Sequence, residues 1–186
     1  NIDRLHYGLE AVVDVTWQRY LTSCVALNIG RYGYVSDALV ESYGDRSNDL
    51  LASSLSAVRG FVTGAPQLTA YGDVAFKMSG WQVRLSAQCR ALAHLAPSFA
   101  RRTARVLSYA AAEEDVEALM RQSRLRDGLC VNLYVAKGIR LKGGVYMRLY
   151  VAGYNLLGGA IVYSGYEQNR VRRSSVAGRS YVEPFA

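Results

Sequence analysis

The chain has 186 residues, of which 51% are hydrophobic and 20% charged, with 17 Gly and 3 Pro. This composition excludes a disordered, collagen-like or low-complexity polymer, and the length suffices for one globular domain over residues 1–186 without a metal or a dense disulfide framework. The net charge of +7, from 22 Lys+Arg against 15 Asp+Glu, is compatible with nucleic acid, an anionic membrane or an acidic partner and selects none of them.

Helical spacing dominates the first third of the chain. From Arg4 to about Leu27, apolar residues recur three, four or seven positions apart, and Gly30 and Gly33 stop this pattern. The spacing predicts an amphipathic helix. A short helix is expected over residues 37–43, and another is expected after Ser47, a plausible N-cap, with its end at residues 64–66.

The period then changes to two. Apolar residues alternate over positions 74–78 and 81–85, on either side of Ser79-Gly80, which predicts a β-hairpin. A short helix is expected over residues 86–96, just before Pro97, and two further helices over residues 98–124.

The last third is typical of strands. Alternation over residues 130–135, 145–151 and 160–163 is separated by glycine-containing turns, and residues 167–186 lack periodicity and are expected to form an irregular basic arm. The longest apolar stretch, residues 145–163, is interrupted by Arg148 and three glycines, so no transmembrane segment is expected. The predicted fold class is α+β, with a helical N-terminal half packed on an antiparallel sheet formed mainly by the C-terminal half.

Catalytic signatures are weak. No nucleotide-binding, zinc-protease, calcium-loop or nucleophile-elbow motif occurs, and His6 and His94 have no cysteine at a spacing that suits a nucleophile pair or a metal site. One acidic group, Glu113, Glu114 and Glu117, could supply a general acid or base, although adjacent acids at a helix start are usually a solvated cap. We therefore expect no cofactor and no metal, and an enzyme is the less favoured interpretation.

Basic clusters give a second binding hypothesis. Arg101, Arg102 and Arg105 fall within one and a half turns of a predicted helix, and Arg170, Arg172 and Arg173 lie on the irregular C-terminal stretch. Such clusters suit phosphate contacts, and the 14 Tyr could stack on single-stranded bases.

The three cysteines, Cys24, Cys89 and Cys130, leave two alternatives open. They could form one disulfide and one free thiol in an oxidising compartment, or three buried thiols in a reducing one.

One part of the chain resembles a known family. The segment VAFKMSG at residues 74–80, the segment SAQCRAL at residues 86–92 and the downstream Cys130 are similar to the C-terminal half of type IVb pilin globular domains. The resemblance implies a Cys89–Cys130 disulfide, and a helical N-terminal part that stands for the exposed half of the pilin helix.

These observations favour a non-enzymatic structural or assembly subunit, pilin-like, secreted or exposed at the cell surface, that associates with copies of itself or with homologous subunits. One alternative is a viral or phage capsid or nucleoprotein-like subunit, in a virion or inside the cell, that binds nucleic acid through the arginine clusters. A second alternative is a toxin-like enzyme with an acidic catalytic residue.

Overall fold

The computed structural model of the protein describes residues 2–44, 49–108, 113–167 and 180–185. Most of these residues lie in strands: β1 Arg4–Gln18, β2 Leu21–Tyr34, β3 Ala38–Tyr43, β4 Leu50–Ser56, β5 Leu68–Met78, β6 Trp81–Ala91, β7 Gly128–Arg140, β8 Tyr146–Gly153, β9 Ile161–Glu167 and β10 Ser180–Phe185. Two short helices, α1 Ala104–Leu107 and α2 Glu113–Met120, lie between β6 and β7.

The main structure is a six-stranded sheet of order β1-β2-β5-β6-β7-β8, antiparallel throughout. Short turns join β1 to β2, β5 to β6 and β7 to β8 at one end, which we call the short-turn end. The opposite, long-loop end carries residues 35–67, with the β3–β4 hairpin, and residues 92–127, with both helices. The strands β9 and β10 form a separate antiparallel pair.

The predicted fold class is wrong, because the N-terminal half is a set of strands and not a helical layer. Residues 4–34, predicted as one helix, form the β1–β2 hairpin. The spacing of four from Leu5 to Leu9 and from Val13 to Trp17 is even, so it fits a strand as well as a helix, and only cross-strand pairing distinguishes the two. The helix implied by the pilin resemblance is absent from these residues for the same reason.

The other local predictions have mixed outcomes. The expected helix at residues 37–43 is strand β3, and most of residues 86–96 continue strand β6. The helix expected after Ser47 is strand β4 in its first part and an irregular connection over residues 57–63. Only the two helices expected over residues 98–124 have counterparts, in α1 and α2. The hairpin over residues 74–85 is confirmed: Ser79 and Gly80 both have positive φ, 51° and 78°, as in the tight turns that match strand twist. The strands expected near residues 130–135, 145–151 and 160–163 lie within or largely overlap β7, β8 and β9.

Two clusters of buried apolar side chains lie at the long-loop end. One cluster joins Tyr34, Ala38, Val58 and Phe61, and a second joins Ala93, Leu95 and Leu125. Both clusters lie beneath the connections of the sheet, and in the short-turn half of the sheet the buried apolar side chains are the small ones of Ala75 and Ala136. Residues 180–185 form β10 and so are not irregular, whereas residues 168–179 of the expected basic arm lie outside the described residues.

A buried ion pair fastens β9 to the segment before α1. The side chains of Arg102 and Glu167 are 1% and 2% exposed, and Arg102 Nη2 donates to Glu167 Oε1 at 2.8 Å. The backbone N–H of Ser98 also donates to Glu167, at 2.7 Å, and the guanidinium lies 4.5 Å from the centre of the Phe61 ring. Each charge is thereby paired and hydrogen-bonded, as a buried charge requires. Within the described part of the chain, no helix is long and apolar enough to cross a membrane.

Candidate association surface

The register of the main sheet sorts the side chains into one apolar and one polar face. Successive residues of a strand point to opposite faces, and directly paired residues point to the same face. On one face the paired rows run Leu9–Ile29–Leu68–Ala91 and Val13–Val25–Gly72–Ala87–Val131. The residues that alternate with them along each strand, such as Glu10 and Asp14, point to the other face.

The apolar face is defined by five consecutive rows without a charged residue. Its members are Leu9, Ala11, Val13, Val15, Trp17, Leu21, Ser23, Val25, Leu27, Ile29, Leu68, Ala70, Gly72, Val74, Phe76, Val83, Leu85, Ala87, Cys89, Ala91, Leu129, Val131, Leu133, Val135, Val151 and Gly153. Trp17 sits at a bulge in β1, and its Nε1 donates to Ser23 Oγ at 2.9 Å, which places the indole on this face.

The apolar face is open to its surroundings. Val13 is 57% exposed and Val151 is 75% exposed, at opposite edges of the sheet, and Val74 and Leu85 near its middle are about half exposed. No element of the described chain covers them. A continuous apolar surface of this extent marks a site of association with a membrane or with protein.

Aromatic and basic side chains flank the apolar face at both ends of the strands. At the short-turn end the next row holds Met78, Trp81 and Lys137, and the Lys137 ammonium lies 4.6 Å from the centre of the Trp81 ring. At the long-loop end the next row pairs Tyr7 with Arg31. The uncharged band between these rows spans about eight residues of β1, or about 26 Å along the strand.

The opposite face is polar and internally hydrogen-bonded. Asn28 joins Glu10 and Tyr32 through bonds of 2.7 and 2.8 Å, and Tyr134 accepts a hydrogen bond of 3.0 Å from Arg148. A cleft of about 400 Å³ on this face is lined by tyrosine, arginine, glutamine and asparagine side chains, including Tyr71, Gln82, Arg84, Asn132, Tyr134, Arg148 and Tyr154. It contains no histidine and no side chain poised as a nucleophile beside a base.

The sheet is open at both edges. In the described structure β1 and β8 each pair with one strand only, so β1 presents a free edge of 15 residues. Proteins usually protect such edges with proline, with a bulge or with short strands, because free N–H and C=O groups template pairing with another strand. The long edge of β1 has one bulge, at its short-turn end, and no proline.

The predicted arginine cluster is not a surface feature. Arg101 and Arg102 are 4% and 1% exposed, Arg102 is held by Glu167, and burial lowers the pKa of Arg101 from its usual value. Arg105, on α1, is exposed. The structure therefore does not bring these three residues to one accessible phosphate-binding surface, and Arg170, Arg172 and Arg173 lie outside the described residues.

The three cysteines are free thiols. Cys130 pairs with Gln88, whereas Cys89 pairs with Leu129, so Cys89 and Cys130 point to opposite faces of the sheet. A disulfide needs Cβ vectors that point toward each other. The structure therefore does not form the bridge that the pilin resemblance implied.

The acidic group on α2 has the environment of a solvated helix surface. Glu117 forms an i,i+4 ion pair of 3.4 Å with Arg121, and both side chains are about three-quarters exposed. Glu114 is exposed as well, and the side chain of Glu113 lies outside what the structure describes. Within the described ranges, no three acidic, histidine or cysteine side chains come together as a metal site.

The apolar face was not predicted from the sequence, although the alternation of apolar residues that produces it is present in the strands. Positions 5–17, 21–29, 68–78, 81–91 and 129–139 place mostly apolar residues at every second position. Small residues such as Ala11 and Ala70, and polar residues such as Ser23, make this alternation difficult to recognise. Comparison with known proteins adds no assignment: no family model matches the chain, and neither the curated proteins nor the solved structures contain a match.

Proposed function

We propose that the protein is a non-enzymatic structural subunit of a cell-surface membrane assembly. Its apolar face lies against lipid acyl chains, and its free sheet edges pair with strands of further copies. The observation that carries the proposal is the uncharged, exposed apolar band across the six-stranded sheet.

The composition of the band favours lipid over a protein partner. Even obligate protein interfaces are only about 65% apolar and contain polar contacts, whereas five consecutive rows here contain Ser23 as the single hydroxyl and no charge. The band height of about 26 Å approaches the thickness of a bilayer hydrocarbon core, about 30 Å. The Trp17 and Trp81 rings at one end, and Tyr7 at the other, suit the interfacial zones, where amphipathic rings are enriched.

The free edges of the six-stranded sheet favour self-association. In an acyl-chain environment no water can satisfy an open strand edge, and each unpaired backbone group costs several kcal/mol. Among the described residues, β1 and β8 each run antiparallel to a single neighbour and present unpaired N–H and C=O groups outward. A strand of a second copy, added at either edge, would satisfy them.

Two adjacent valines provide a matched test of the face. Val13 belongs to the apolar face and Val12 to the polar face, and both are more than half exposed on the same strand. An aspartate within the hydrocarbon costs about 3 kcal/mol, so Val13→Asp should lower the vesicle partition coefficient about 100-fold. Val12→Asp should change it less than about threefold.

The two tryptophans report the same event without a label. Both Trp of the chain lie at the short-turn end of the apolar face, so lipids brominated along the acyl chain should quench their emission after transfer from mild detergent into vesicles. Equal partitioning of Val12→Asp and Val13→Asp, or no partitioning of the wild-type chain, would contradict lipid contact. Sedimentation in density-matched detergent micelles tests the edges, and a monomer at every concentration would contradict self-association.

A further inference from the structure

The charges of the sheet are segregated along the strand axis. Residues 15–23, 74–85 and 133–153 build the short-turn half of the sheet, and they contain seven basic residues and no acidic one. The seven include all three lysines of the chain: Arg19, Lys77, Arg84, Lys137, Arg140, Lys142 and Arg148. Asp14 and Asp73 mark the last acidic row before this half begins.

Hydrogen bonds hold the first two turns beside each other and beside β7. The backbone N–H of Lys77 donates to Tyr20 O at 2.7 Å, and the N–H of Gly138 donates to Gly80 O at 2.7 Å. Lys137 Nζ donates to Ser79 O at 2.9 Å. The cationic rim is the set of basic residues at this end, excluding Arg84, which lies near Asp73, and Arg148, which donates to Gln82 and Tyr134 on the polar face: Arg19, Lys77, Lys137, Arg140 and Lys142.

The long-loop end has a different electrostatic character. Two of its basic residues, Arg121 and Arg124, form ion pairs with Glu117 and Asp127. Its other described acids include Asp3, Asp37, Glu41 and Asp49. The excess positive charge of the described sheet is therefore concentrated at the short-turn end, next to Trp81 and directly beyond the apolar band.

We infer that the cationic rim binds the phosphate headgroups of an anionic phospholipid leaflet. This inference rests on the proposed function, because it assumes that the apolar face is in lipid. The rim stands where the headgroups of that leaflet would begin, and no acidic side chain in this half of the sheet opposes them. Lys77, Arg140 and Lys142 are exposed and have room to reach phosphate oxygens, while long basic side chains extend from the apolar boundary into the headgroup layer.

Vesicle flotation with two lipid compositions tests the inference. The full chain is diluted from mild detergent into vesicles of phosphatidylcholine alone, or of phosphatidylcholine with one-third phosphatidylglycerol, at low and at physiological salt. Each basic residue near an anionic surface strengthens binding about fivefold. The wild-type chain should therefore prefer the anionic vesicles strongly, and more so at low salt.

Two double variants distinguish an effect of the cationic rim from an effect of the net charge of the protein. Arg140→Gln with Lys142→Gln should weaken binding to the anionic vesicles about 25-fold and leave binding to phosphatidylcholine unchanged. The control pair, Arg59→Gln with Arg126→Gln, removes the same charge from exposed positions at the long-loop end and should weaken binding less than about threefold.

The flotation results distinguish a failure of the rim inference from a failure of the proposed function. Equal binding of the wild-type chain to both vesicle types overturns the inference and leaves the proposed function standing, whereas binding to neither overturns the proposed function itself. Equal losses for the two variant pairs show an effect of net charge alone and overturn the rim. If a single-stranded oligonucleotide displaces the chain from anionic vesicles, and its binding is lost in the Arg140–Lys142 variant, the rim is a nucleic-acid site and the lipid assignment is wrong.

Discussion

Removing the charge of Glu167 should destabilise the long-loop end strongly. The Glu167 carboxylate accepts two hydrogen bonds from Arg102 and one from the Ser98 backbone N–H, with both side chains almost fully buried. In Glu167→Gln, one acceptor oxygen becomes an NH₂ group that faces these donors, and the guanidinium charge stays buried without a counter-charge. Breaking a buried pair in this way costs about 3–5 kcal/mol, and the retained oxygen favours the lower end of that range.

The assay is hydrogen exchange of the backbone amides between residues 93 and 103, in the detergent-solubilised full chain. A loss of about 3 kcal/mol should lower their protection about 100-fold. A matched control is Glu117→Gln, which breaks the exposed Arg121 pair and should cost less than about 0.5 kcal/mol. The double variant Arg102→Met with Glu167→Leu should recover part of the stability, because it removes both charges of the pair and leaves only the buried Arg101 nearby. A loss below about 1 kcal/mol for Glu167→Gln, or a double variant as unstable as the single one, would refute the reasoning.

Three further predictions follow from backbone packing, protonation and thiol geometry. In Gly30→Ala the new Cβ would lie 2.8 Å from a backbone oxygen of β1, whereas in Gly72→Ala the nearest backbone oxygen would be 3.8 Å away. Thermal unfolding should therefore show that Gly30→Ala lowers the free energy of unfolding by about 1–3 kcal/mol and that Gly72→Ala changes it little. Burial lowers the pKa of His94 below its usual value, so near pH 6 the unfolded chain binds more protons than the folded chain does. Denaturant titration should therefore show that the free energy of unfolding falls as the pH drops below about 6.5. The variant His94→Gln should reduce this dependence on pH. Alkylation of the denatured chain without prior reduction should add three labels, and a mass that shows a Cys89–Cys130 bridge would contradict the strand register.

Part of the fold could be predicted from the sequence because it depends on neighbouring residues. The Ser79-Gly80 turn and the alternation on either side of it identify the β5–β6 hairpin, since tight turns need residues that adopt positive φ. The first hairpin could not be predicted in this way. Spacings of four are common to helices and strands, and Arg19-Tyr20, the two residues between β1 and β2, give no comparable turn signal.

The sequence by itself determined the strand propensity of the last third, the positive net charge and the acid-free composition of the segments that become the short-turn half. Only the tertiary structure decided which residues share a face and which become buried. The apolar face exists because six strands pair in one register, and a shift of one residue would send each strand's apolar side chains to the other side. The partners Arg102 and Glu167 are 65 residues apart in the chain, and their burial follows from the packing of β9 against a distant segment, a contact that no local pattern encodes.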